Sequence, residues 1–92
     1  MDLMARAHIF ISGNVQKVWF RETIRQRADR LGLKGWVKNL NDGRLEVIFE
    51  GEKNKVDEVI NAARKGPILS EVTDVDVVWE KYKNEFNSFD II

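Results

Sequence analysis

The segment SGNVQKVWFRET, residues 12–23, brings a loop glycine, an amide side chain and Arg21 to the point where a helical pattern begins. No serine, threonine, aspartate or asparagine stands immediately before Phe20, so the first amides of that helix lack the side-chain oxygen that usually accepts from them. Arg21 would also sit at the positive end of the helix macrodipole, where a cation is mildly unfavourable. One bound anion would resolve both features. Loop and helix amides that converge make an anion cradle, and a guanidinium fork matches the oxygens of a phosphate. A connecting loop with water-capped amides, carrying an arginine on a solvated helix face, accounts for the same residues.

The chain around this segment has 92 residues, which predicts one domain, 1–92, with a single core. Fifteen basic and fifteen acidic side chains cancel, so the overall charge offers no attraction to a polyanion, and nucleic acid is not an expected partner. The absence of cysteine excludes a disulfide framework and a thiolate metal site. The start, MDLMARAHIFIS, reads as neither a signal peptide nor a membrane span. A soluble, cytoplasmic protein with no membrane partner is expected, acting as a monomer.

Periodicity supplies the elements that must position the segment. Residues 5–12 alternate, with Ala7, Ile9 and Ile11 on one face and Arg6, His8 and Ser12 on the other, as in a half-buried strand. Phe20, Ile24, Ala28 and Leu31 recur at helical spacing, and Gly32 is a stop signal. A strand over 34–40 joins one over 44–50 through Asn41-Asp42-Gly43, a hairpin signature, with Leu45, Val47 and Phe49 facing inward. Val56, Val59, Ile60 and Ala63 form the stripe of a second helix, which must end near Gly66-Pro67. A strand over 71–81 puts Val75, Val77 and Trp79 on one face, and Phe89-Asp90-Ile91 could add an edge strand.

The order β-α-β-β-α-β is that of the α+β ferredoxin-like sandwich, a split βαβ unit with two helices on one face of an antiparallel sheet. The first two strands then run parallel with the third between them. Asn39, at the end of the second strand, is therefore expected at the same sheet edge as the loop after the first.

Gly13, Val15, Gln16, Val18, Phe20 and Arg21 resemble the GxVQGVxFR signature of the acylphosphatase family. Gly35-Trp36-Val37-Lys38-Asn39, followed by Asp42-Gly43 and Glu46, is similar to that family's second block, GWVxN and DGxVE. Gly51, Gly66-Pro67 and Phe89-Asp90-Ile91 extend the resemblance over essentially the whole chain. It implies hydrolysis of acyl phosphates to a carboxylate and inorganic phosphate without a metal or organic cofactor. It also implies that Arg21 and Asn39 are catalytic, and that the backbone of Asn14, Val15, Gln16, Lys17, Val18, Trp19 and Phe20 forms a phosphate-binding loop. The chemistry is coherent, because a carboxylate of pKa about 4 leaves without protonation. The enzyme must then hold the phosphoryl group, spread its charge over fixed donors and place a water in line. Asn39 has the carboxamide to orient that water. Lys17 replaces the glycine of the family's VQG; it implies a working loop with altered anion affinity, through a changed backbone angle or an added ammonium.

Other residues have structural readings. His8 belongs to a sheet face, Trp36 and Trp79 to packing, and Arg25, Arg27 and Arg30 to the solvated side of the first helix. Asp42 and Glu46 read as turn and strand-surface residues. Three rival functions remain on sequence grounds. An RNA-recognition module shares the topology but needs outward aromatics on its first and third strands. A small-molecule-binding regulatory domain would need neither Arg21 nor Asn39. The third is an acylphosphatase-like domain whose catalysis Lys17 has weakened.

Overall fold

A computed structural model describes residues 3–16 and 19–92. Its elements are β1 (Met4–Asn14), α1 (Phe20–Arg30), β2 (Lys34–Asn39), β3 (Leu45–Glu52), α2 (Lys53–Lys65), β4 (Glu71–Glu80) and β5 (Phe89–Ile91). They form one five-stranded sheet in the order β4-β1-β3-β2-β5. The four long strands pair antiparallel, as the split βαβ order predicts. β5 pairs parallel with β2, so the edge strand makes the sheet mixed.

Strand alternation separates the two faces of the sheet. Ala7, Ile9 and Ile11 from β1, Leu45, Val47 and Phe49 from β3, and Val37 from β2 are fully buried on one face. Phe20, Ile24 and Ala28 of α1 and Val56, Val59, Ile60 and Ala63 of α2 complete a single core with them. The Phe89 ring stacks on Phe49 at 5.5 Å between centroids, tying the short β5 into that core. α1 ends as its sequence predicts: Gly32 takes a φ of 72°, the Leu33 amide donates to the Ala28 carbonyl and the Gly32 amide to that of Asp29.

β4 departs from simple alternation. Its register with β1 slips between Ser12 and Gly13, so Val72 joins Val75 and Val77 against the core. Trp79 remains 46% exposed, with the Lys53 ammonium 4.4 Å from its ring centroid. The slip requires Gly13. Its φ is 123°, and a Cβ there would lie 2.0 Å from the Glu71 carbonyl oxygen.

The face without helices is crossed by residues 81–88, which carry the chain from β4 at one edge to β5 at the other. Glu50 pins this crossing. Its carboxylate is buried and accepts from the Lys83 and Glu85 amides at 2.8 and 2.9 Å. The buried Arg6 guanidinium bridges Glu50 at 3.4 Å, Glu80 at 2.8 Å and Glu85 at 2.6 Å. Burial would raise the Glu50 pKa, but the two amides and Arg6 together hold it below the usual glutamate value. His8 lies beside this network, facing Glu46 at 2.6 Å and Glu80 at 3.2 Å, a sheet-face role.

A carboxylate whose pKa is lowered by folding stabilises above its unfolded value and loses that contribution as pH falls through the folded one. Glu50→Gln turns an amide donor toward an N–H donor and is expected to cost about 1–3 kcal/mol at neutral pH. Urea unfolding at a series of pH values checks this; the gap between wild type and variant should shrink below about pH 4.

Candidate active site

Register brings the site together. Ile11 of β1 and Asn39 of β2 both pair with Leu45 of β3, so the three lie on one row across the sheet. Asn39 is therefore two strand spacings, about 10 Å, from the end of the last buried residue of β1. It shares the helix-side parity of Gly35 and Val37 but is exposed, whereas Ile11 and Leu45 on the same row are fully buried. Its carboxamide has no protein partner among the described residues.

The loop between β1 and α1 is anchored at both ends by apolar burial. Val15 is 1% exposed and Phe20 2%. Gln16 supplies a third anchor, since its side-chain amide donates to the carbonyls of Leu40 at 2.9 Å and Arg44 at 3.0 Å. Those carbonyls flank the β2–β3 turn, closed by the Leu40 amide on the Arg44 carbonyl and the Gly43 amide on that of Leu40. One side chain thus holds the loop against the hairpin that carries Asn39. Asn14 is the exposed last residue of β1, paired with Glu71. Lys17 and Val18, and the expectations attached to them, lie outside the described residues.

Trp19 is one of three non-glycine residues with positive φ among the described residues. It precedes α1 with φ 62° and ψ 16°, left-handed, and offers no side-chain cap. A bulky L-residue in that region costs roughly 1–2 kcal/mol. The Thr23 amide and hydroxyl hold it there, donating to the Trp19 carbonyl at 3.0 and 2.9 Å. The amides of the first helical turn precede that bond and have no carbonyl within α1 to meet. A left-handed residue followed by a helical one turns successive N–H groups to one side, the arrangement of an anion-binding nest.

Arg21, in this first turn, lines a cleft of about 330 Å³ with Val15, Trp19, Phe20, Glu22 and Ile91. Its neighbouring acid does not neutralise it. Glu22 pairs with Arg25, whose guanidinium holds the Glu22 carboxyl below its usual value, and Arg25 also reaches Asp29 at 2.9 Å. Among the described residues, the Arg21 guanidinium has no acceptor or acidic partner. Arg21 and the residues of the uncapped start of α1 therefore line one cleft. Asn39 is at the same end of the sheet but does not line the cleft, and no hydrogen bond joins it to Arg21.

Three features of the site were not foreseen from sequence: the Gln16 side-chain bridge, the left-handed Trp19 and the presence of Ile91. The rival RNA platform lacks its third-strand aromatic, because Phe49 is fully buried while Glu46, Ile48 and Glu50 face the other side of β3.

Comparison with known proteins agrees with this geometry. The family model described as Acylphosphatase matches residues 7–91. An acylphosphatase of Pyrobaculum arsenaticum is 50% identical over 90 residues, covering 97% of this chain and 95% of its own. The crystal structure of acylphosphatase from Bacillus subtilis superposes with a TM-score of 0.92 at 35% identity, covering 96% of this chain and 98% of that one. An acylphosphatase from Coxiella burnetii gives 0.91 at 31%, covering 97% and 93%. Matched by the family model and by these proteins along nearly its whole length, this chain belongs to the acylphosphatase family of enzymes.

Proposed function

We propose that this chain hydrolyses acyl phosphates, with the phosphoryl group held between the Arg21 guanidinium and the backbone amides leading into α1. The observation that carries this reading is Arg21 itself, a cation without an acidic partner among the described residues, lining a cleft at an uncapped helix start. An anion of tetrahedral oxygens is the ligand that satisfies both sets of donors.

The reaction asks little proton chemistry of the protein. Water attacks phosphorus in line with the bond to the bridging oxygen; a new P–O bond forms, the old one breaks, and its electron pair leaves with the carboxylate. An acyl phosphate dianion and water become a carboxylate and dihydrogen phosphate, so both water protons stay on the phosphate product. Charge is conserved without a general acid. The role left for the protein is electrostatic and geometric: Arg21 and the amides stabilise charge on the equatorial oxygens, and Asn39 orients the water by accepting from it while donating to a phosphoryl oxygen. Gln16 acts behind them as a positioning residue, because its two bonds fix the loop relative to the strand that carries Asn39.

Arg21→Ala is expected to lower kcat/KM for benzoyl phosphate at least about 100-fold, the loss of a preorganised donor to developing charge. Asn39→Ala should lower kcat by a similar order while weakening inhibition by inorganic phosphate less than Arg21→Ala does, since Asn39 donates only one of the anion's hydrogen bonds and its larger role is water placement. Phosphate release by the folded wild type and both variants tests this; an inactive wild type, or equal activity in all three, contradicts it. Gln16→Ala should cost about 1 kcal/mol of stability, measured by urea unfolding. Its kcat should fall more than its KM rises, the signature of misaligned rather than missing groups.

A further inference from the structure

The Arg21 cleft has more wall than a phosphoryl group can use, and that wall is carbon. Trp19 is 81% exposed although its backbone is held in a strained conformation, and Ile91 is 37% exposed at the end of β5. Both line the same cleft as the guanidinium. Ile91 is brought there by the parallel pairing of β5, Ile91 opposite Val37 and the Ile92 amide donating to the Val37 carbonyl at 3.0 Å. Large apolar side chains left in water beside a ligand site mark surface that a ligand covers.

We infer that Trp19 and Ile91 form the acyl-group subsite, an apolar wall that selects acyl phosphates with aromatic or extended aliphatic acyl groups over acetyl phosphate. The inference rests on the hydrolase reading above. An acyl phosphate has two unlike halves, an anion and a carbon substituent joined through a carboxyl. The cleft has two unlike linings, the Arg21 end and the Trp19–Ile91 wall. An indole face covers a planar acyl group, and the Ile91 side chain adds aliphatic contact. A two-carbon acyl group gains little from either. Glu22, an anion that also lines the cleft, does not favour an acyl group bearing a second negative charge.

The test is the ratio of kcat/KM for benzoyl phosphate to that for acetyl phosphate in wild type, Trp19→Ala, Trp19→Phe and Ile91→Ala, with folding checked by circular dichroism. The wild type should favour benzoyl phosphate. Trp19→Ala should lower the ratio about 10-fold, Trp19→Phe should retain most of it, and Ile91→Ala should lower it by a smaller factor. Inhibition by inorganic phosphate reads the phosphoryl half alone and should change less than the ratio. A wild type with no preference, or a ratio unchanged in Trp19→Ala and Ile91→Ala, overturns the subsite and leaves the hydrolase reading standing. Phosphate affinity falling as far as the ratio also overturns it, since Trp19 would then act through the backbone cradle. A folded wild type that hydrolyses neither compound overturns both readings.

Discussion

The interposition of β3 between β1 and β2 is the constraint on which the site depends. Because both neighbours pair antiparallel with the same strand, they run parallel to each other, and residues 28 positions apart in sequence, Ile11 and Asn39, share one partner, Leu45. The inward side of β3 is fully buried, so slipping its register by one residue would turn Leu45, Val47 and Phe49 out of the core. The hydrophobic pattern that stabilises the sheet therefore also fixes the spacing between the β1–α1 loop and Asn39. Gln16 makes that spacing rigid at the solvent end, where burial no longer acts.

The opposite face of the sheet contributes at a distance. Glu50 and Arg6 lie under the 81–88 crossing, and the crossing delivers β5 to the far edge beside β2. Buried ionic groups are costly unless every donor and acceptor is met. Here the Glu50 carboxylate meets two amides and a guanidinium, and Arg6 meets three carboxylates. The polar network thereby sets the path of the chain, which sets where Ile91 stands at the cleft.

Much of this was legible in the sequence, for physical reasons that differ by element. Strong periodicity exposed β1, β3 and both helices, because one buried face per element leaves a regular trace. The Asp42-Gly43 turn and the Gly32 stop announced themselves through backbone chemistry. Asn39 could be brought to the loop only by topology, and Arg21 stood out because a helix start without a cap but with a cation needs a partner. Trp19 was invisible as a left-handed residue, since nothing about tryptophan favours that region. Gln16 gave no signal because a loop amide has no periodicity. Ile91 sits in a three-residue strand, too short to carry a pattern, whose parallel pairing is decided by the crossing on the opposite face. In β4 the shared face of Val75, Val77 and Trp79 was legible, but the inward turn of Val72 was not, because the register slip at Gly13 is a property of the pair of strands.

The central claim is that the amides leading into α1 and the Arg21 guanidinium form one anion cradle at the edge shared with Asn39. It is tested most directly by titrating inorganic phosphate into the labelled protein while following backbone and guanidinium resonances by NMR. Saturable shifts that are largest at Val15, Trp19, Phe20, Arg21 and Glu22, with a smaller response at Asn39, are the predicted result. No saturable shift in that set, or shifts confined to the opposite face around His8 and Trp36, would contradict it.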